Sequence, residues 1–167
     1  MEEQVNHPRH YNRHPAGIEC IDIIRHYTCD IANAIKYLWR AGLKSEEGKD
    51  SYDKAVEDLE KALWYIDDYQ RHCRINGAVG NTARPMFHDS ATADMLVEHM
   101  TGHSSKDITR GYPETIAKAL TRLLRVGVVY DAEVIVPIGY HVDLHEAEKA
   151  IRERLREMGR TVDYKED

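Results

Sequence analysis

Asn33-Ala34-Ile35-Lys36-Tyr37-Leu38-Trp39-Arg40-Ala41-Gly42-Leu43-Lys44 is the stretch from which the architecture of this 167-residue chain can be read outward. At roughly 100° per residue, Ile31, Ala34, Ile35 and Leu38 form one helical stripe, and Asn33, Lys36, Tyr37, Arg40 and Lys44 form another roughly opposite it. The first stripe is a core face. The second carries long cations and a tyrosine hydroxyl at i, i+4 spacing beside an asparagine amide, a set that suits a phosphate and its attached sugar or base. The competing reading is a solvated helix face.

Two further helices flank it in the N-terminal part, expected from the same apolar period. Ile18, Ile21 and Ile24 mark a first helix running to about Tyr27, with Asp30 as N-cap of the next. Gly42 ends the helix of the opening stretch. Ala55, Val56, Leu59, Ala62, Leu63 and Ile66 mark a third helix, whose other faces carry Lys54, Glu57, Asp58, Lys61, Trp64 and Tyr65. Residues 74–91 lose periodicity and gain Gly, Asn and Pro, which reads as a linker. Beyond it, helices are expected over about 92–101, 105–109 and from Pro113 through Leu124, closed by Gly127. Two strands follow around Asp131-Ala132, then a last helix opened by an Asp143/Glu146 capping box and ended by Gly159. The expected fold is mainly α. An N-terminal helical domain of about three helices occupies 1–73, and an α+β winged-helix-like domain occupies 92–167.

A net charge of −6 disfavours indiscriminate attraction to nucleic acid or an acidic membrane, and the two halves, split at residue 83, share it equally. No apolar run approaches the ~20 residues of a membrane span, and Met1-Glu2-Glu3-Gln4 lacks the basic and apolar regions of a signal peptide. A soluble, intracellular protein with no membrane partner is expected. Cys20, Cys29 and Cys73 have no zinc-like spacing and are expected as reduced thiols.

Other residues offer chemistry. His7, Arg9, His10, Tyr11 and His14 lie in a loop punctuated by Pro8 and Pro15, which oppose a helix that would align the histidines on a metal. Such a loop can present imidazole and guanidinium to a ligand. Glu19 and Asp22, at i, i+3, can hold magnesium, accept from a sugar hydroxyl or form surface ion pairs. Lys54/Asp58 and Glu57/Lys61 are i, i+4 pairs whose weight depends on their lying in a pocket. In the C-terminal half, Lys118, Arg122 and Arg125 on the third helix of the winged-helix-like order make DNA or a protein a possible partner of residues 92–160. Glu114 at the start of that helix opposes a DNA role.

Four segments in order carry a family resemblance: His7-Pro8-Arg9-His10-Tyr11, Gly17-Ile18-Glu19-Cys20-Ile21-Asp22, Asn33 to Gly42, and Glu57-Asp58-Leu59-Glu60-Lys61-Ala62-Leu63-Trp64-Tyr65-Ile66. Over about residues 5–70 the chain resembles a phage-encoded domain family of unknown function often labelled nucleotide kinase, one member of which acts on deoxynucleoside monophosphates. The resemblance implies a nucleotide-binding protein of the host cytoplasm, using ATP and Mg2+ if it is a kinase. The chain has no GxxxxGK[ST], so no P-loop cradle is present. Phosphate would fall to Arg9, Lys36, Arg40 and Lys44, sugar or base to Asn33 and Tyr37, and magnesium or hydroxyl contacts to Glu19, Asp22 and Asp58. His7, His10, Tyr11 and Lys61 complete the expected ligand set. The carboxylate pairs also resemble all-α nucleotide pyrophosphohydrolases, although the four-carboxylate pattern is incomplete. The same groups equally make a sponge that sequesters a host nucleotide-derived signal without turnover. A thin layer of three helices of about ten to fifteen residues leaves the cationic face without a concavity. Either the loop of His7 to His14 or a second subunit must supply the opposite wall, so a homo-oligomer is expected.

Overall fold

The computed structural model describes residues 13–43, 49–76, 90–130, 133–135 and 140–161. Its elements are α1 (Cys20–Ile24), α2 (Cys29–Leu43), α3 (Lys49–Asn76), α4 (Ser90–Thr101), α5 (Ser105–Ile108), α6 (Glu114–Leu123), β1 (Val128–Tyr130), β2 (Glu133–Ile135) and α7 (Tyr140–Glu157). The fold is mainly helical, as the periodicity predicts. β1 and β2 pair antiparallel, with Val128 opposite Ile135 and Tyr130 opposite Glu133.

The apolar stripe of α2 is the centre of the core: Ile31, Ala34, Ile35 and Leu38 are fully buried. Trp39 is fully buried too, although it lies outside that stripe, because α2 is covered from two sides. α3 packs along it through Val56, Leu59, Ala62, Ile66 and Tyr69, and α6 packs through Ile116, Ala119, Leu120 and Leu123. α7 closes on α6 and α3 with Leu144, Ala147, Ile151 and Leu155. The stretches before and after residues 74–91 therefore share one continuous core. α2 has a core neighbour on both sides, which the expectation of a thin three-helix layer did not include.

Backbone bonds stitch the two stretches together. The Thr28 amide donates to the Gly127 carbonyl at 2.8 Å, the Val129 amide donates to His26 at 2.8 Å, and the Tyr27 hydroxyl donates to the Leu124 carbonyl at 2.8 Å. Gly127 has φ +68°, and a Cβ there would meet Thr28 Oγ1 at 2.7 Å and Ile31 Cγ1 at 2.8 Å. Glycine is required by both the left-handed backbone and the close approach of α2.

Several boundaries differ from the sequence reading for identifiable reasons. α1 is only one turn and a fraction, because the chain after Ile24 leaves the helix to bridge Tyr27 to Val128. Asp30 lies inside the first turn of α2 and not at its N-cap. α3 runs 28 residues, about 42 Å at 1.5 Å per residue, and extends past Cys73 into the stretch read as linker. Its inner stripe continues to Tyr69 beyond the Ile66 that marked its expected core, and this continuation sustains the length. α7 begins at Tyr140, so Asp143 is free of capping and pairs with Arg122 at 2.9 Å. Among the described residues, no helix is long and apolar enough to cross a membrane.

Candidate functional site

The polar stripe of α2 meets the flank of α3, and Tyr37 lies where they meet. Its ring stacks on Tyr65 of α3 at 5.8 Å between centroids. Lys36 Nζ sits 4.8 Å from the Tyr37 centroid, Arg40 Cζ 5.3 Å and Lys61 Nζ 5.5 Å, all within cation–π range. Three cations from two helices thus surround one aromatic ring. Trp64 stands edge-on to Tyr65 at 5.0 Å and is 56% exposed.

Each cation is held by a different kind of partner. Lys36 donates to Asn33 Oδ1 at 2.6 Å, and Asn33 is itself fixed by donating to the Cys29 carbonyl at 2.9 Å. Lys61 pairs with Glu57 across one turn, and this contact holds the Glu57 carboxyl below its ordinary range and the Lys61 ammonium above. Arg40 forms a two-pronged bond to Asp58, Nε to Oδ2 at 2.7 Å and Nη2 to Oδ1, and the Asp58 side chain is fully buried. Lys36 is therefore the cation whose hydrogen-bonded partner carries no charge. Arg40 reaches the same surface while serving the core beneath it.

The start of α1 also borders this face. Burial pushes the Cys20 thiol up to about 12, and the Lys36 ammonium acts against that rise. Glu19, half-buried, immediately precedes α1, and Asp22 pairs with Arg25 at 2.8 Å. Glu19, Asp22 and Asp58 do not converge to metal-ligand distance. Both Asp58 oxygens already accept from Arg40. Of the expected ligand set, then, Asn33, Lys36, Tyr37, Arg40, Asp58 and Lys61 come together. His7, Arg9, His10, Tyr11 and Lys44 lie outside the described residues.

His14 has a structural task. Its Nδ1 accepts from the Ala16 amide at 3.1 Å, so Nε2 carries the proton and donates to the Ile108 carbonyl at 2.8 Å. The ring stacks on Trp39 at 4.8 Å and leans on Tyr112 at 5.7 Å. With both nitrogens used inside the core, His14 pins the first described residues to α5.

The cations expected on a DNA-reading face are paired within the fold. Lys118 binds Glu114 at 2.8 Å, Arg122 binds Asp143, and Arg125 chelates Asp94 through Nε at 3.1 Å and Nη2 at 2.9 Å. α6 itself is buried along Thr115, Ile116, Ala119, Leu120 and Leu123.

Residues 5–67 match the family model described as a protein of unknown function (DUF3310). The matched residues include α1, α2 and α3 through Asp67, and thus every member of the cluster around Tyr37. No curated protein and no solved structure matches the chain. Tyr65 and Glu57 are the members of the cluster that sequence reading left out of the ligand set. Their signal is spacing: Glu57, Lys61 and Tyr65 follow one another at i, i+4 along the flank of α3 that faces Tyr37.

Proposed function

We propose that the protein binds a nucleotide or nucleotide-derived ligand, with its phosphate at Lys36 and Lys61 and its sugar or base against Tyr37. The observation that carries this reading is the meeting of three cations, from two helices, around one aromatic ring. A phosphate accepts several charge-assisted hydrogen bonds at once, and an aromatic base offers the flat face that a tyrosine stack complements. Arg40, anchored on Asp58, sets the orientation of the cationic face more than it supplies a free charge.

Holding is favoured over turnover by the state of Asp58, whose two oxygens are engaged by Arg40 inside the core. Asp58 is thus occupied by an internal cation, and Glu57, the carboxylate at the phosphate face itself, is paired with Lys61. A sponge for a host nucleotide signal fits this arrangement better than a magnesium-dependent kinase. The face is open on the surface, and a second copy of the chain completing it remains our reading of the quaternary structure.

Mass spectrometry of small molecules released from the purified protein by denaturation tests binding and identity together. Calorimetry with nucleoside mono-, di- and triphosphates should show binding that weakens about tenfold on Lys36→Ala and again on Lys61→Ala, the loss of one charge-assisted contact each. Equal affinity in the double variant would refute the site. Incubation with ATP, Mg2+ and each deoxynucleoside monophosphate separates the two activities, because a sponge returns its ligand unchanged.

A further inference from the structure

Trp64 lies beside the cationic face, and a mononucleotide held by Lys36, Lys61 and Tyr37 gives it no task. It is 56% exposed on α3, and its ring meets that of Tyr65 at 5.0 Å with the planes at 89°. Tyr65 in turn stacks on Tyr37 at 5.8 Å with the planes at 19°. The three rings make a ledge from α2 onto the exposed flank of α3, with Lys36 and Lys61 at its Tyr37 end. We propose that the ligand of this face is a dinucleotide, two bases joined through phosphate, and that Trp64 takes the second base. The proposal rests on the nucleotide reading and narrows its ligand class.

Charge and ring area divide the ledge between them. Lys61 precedes Trp64 by three residues and Tyr65 by four, so it shares a helix face with both rings. A phosphate held by Lys36 and Lys61 therefore lies between the Tyr37 and Trp64 ends. Glu60, exposed one turn before Trp64, repels phosphate from the outer end and leaves a base as the part of the ligand that fits there. A single exposed apolar side chain needs no explanation. Trp64 differs in touching an aromatic pair that is itself flanked by cations. An indole offers a large flat apolar face, and base–aromatic stacking adds affinity whatever the base.

The ring planes also set the conformation of the ligand. Tyr37 and Tyr65 are nearly parallel and Trp64 stands upright on Tyr65, so bases stacked on Tyr37 and on Trp64 lie in steeply inclined planes. Successive bases of a stacked strand are parallel. The two bases of the ligand are therefore splayed apart, the form in which unstacked bases are read on aromatic side chains. A net charge of −6 disfavours a long polyanion, which favours a free dinucleotide over the end of a strand.

The test is calorimetry of the full chain with phosphorylated deoxydinucleotides of each base, the matching deoxynucleoside monophosphates, and a longer single strand of the same base. Wild type should bind its best dinucleotide about tenfold or more tightly than the matching monophosphate. Trp64→Ala should bring the two affinities together, and Trp64→Phe should keep part of the difference. Lys36→Ala should weaken both ligands and preserve their ratio. The chain has two tryptophans and Trp39 is fully buried, so the dinucleotide should quench emission in wild type and far less in Trp64→Ala. Trp64 is exposed, and an unchanged urea midpoint in Trp64→Ala separates loss of a stacking face from loss of the fold. Equal wild-type affinity for dinucleotide and monophosphate, both weakened by Lys36→Ala, would overturn the two-base ligand and leave the phosphate site standing. Binding of neither would overturn the nucleotide reading and this proposal together. A longer strand that binds more tightly than the dinucleotide would overturn the choice of a free dinucleotide. If Trp64→Ala lowers the subunit number in light scattering and keeps the dinucleotide preference, Trp64 belongs to a contact between copies and its stacking role is refuted.

Discussion

Arg40→Met tests whether the cationic face and the core are one structure. The substitution keeps an unbranched apolar stem and removes the guanidinium that holds both oxygens of Asp58. The Asp58 side chain has no solvent exposure, while that of Arg40 is 20% exposed. Breaking a buried ion pair by removing one partner costs roughly 3–5 kcal/mol, because the remaining charge is stranded in low dielectric. Water can follow the vacated path of the partly exposed arginine, which places the expected loss near the lower end, about 3 kcal/mol. Urea unfolding followed by circular dichroism would read this as a lower midpoint at constant slope. The partner substitution is expected to be milder: in Asp58→Leu the arginine head can swing to solvent along its stem. In the double variant Arg40→Met with Asp58→Leu, most of the loss should return, since well-packed apolar residues replace buried ion pairs at little or no cost. Lys36→Ala, one turn away with a neutral partner, should stay within about 0.5 kcal/mol of wild type. The reasoning fails if Arg40→Met unfolds within about 1 kcal/mol of wild type, or if the double variant is no more stable than Arg40→Met.

The His14 ring is held neutral. Burial chiefly lowers its pKa, with His103 and Arg110 acting in the same direction and the Ile108 bond and Asp107 against it. The unfolded chain, with an ordinary histidine near 6.5, then takes up the proton first. The stability this group contributes is complete above about pH 6.5 and is lost as pH falls from there toward the folded value, with a limiting slope of about 1.4 kcal/mol per pH unit. Unfolding between pH 7 and 5 should be less pH-dependent in His14→Gln than in wild type, and identical slopes would contradict the assignment. Gly127→Ala should cost about 2–4 kcal/mol by thermal or urea unfolding, because it combines a left-handed backbone with a Cβ driven into Thr28 and Ile31. Thiol labelling of the native protein, read by peptide mass spectrometry, should modify exposed Cys29 and spare Cys20, which is buried and pushed up to about 12; labelling of Cys20 at an equal rate would show that α1 opens freely.

The elements legible in the sequence are those whose apolar period closes on itself. Ile31, Ala34, Ile35 and Leu38 announce the inner face of α2, and Leu120, Leu123, Leu144 and Ile151 do the same for α6 and α7, because burial on one side of a helix leaves a repeating trace. The shared core of the two stretches leaves no such trace. It depends on Trp39, which lies outside the stripe, and on His14 and Tyr27, polar residues whose hydrogen bonds end on Ile108 and Leu124, more than ninety positions away. A buried histidine and a surface histidine look alike until the partners of both nitrogens are known. The capping box at Asp143 failed for a related reason: the carboxylate met a stronger partner in Arg122 than the backbone amide three residues on.

The site divides along the same line. Spacing along α2 placed Lys36, Tyr37 and Arg40 on one face, and the structure adds Lys61 and Tyr65 from α3 to that face. Spacing alone could not say that Arg40 would turn inward to Asp58 while Lys36 stayed with an amide, since both are long cations on the same side of one helix. The distinction matters for chemistry. A charge neutralised by a buried carboxylate is fixed in position, so it orients what surrounds it; a charge resting on an amide can exchange that partner for a phosphate oxygen at small cost. Lys36 is therefore the residue at which loss of affinity without loss of stability is expected. Arg40 is the residue at which the two losses cannot be separated, so the two substitutions must be compared individually and never only as a pair.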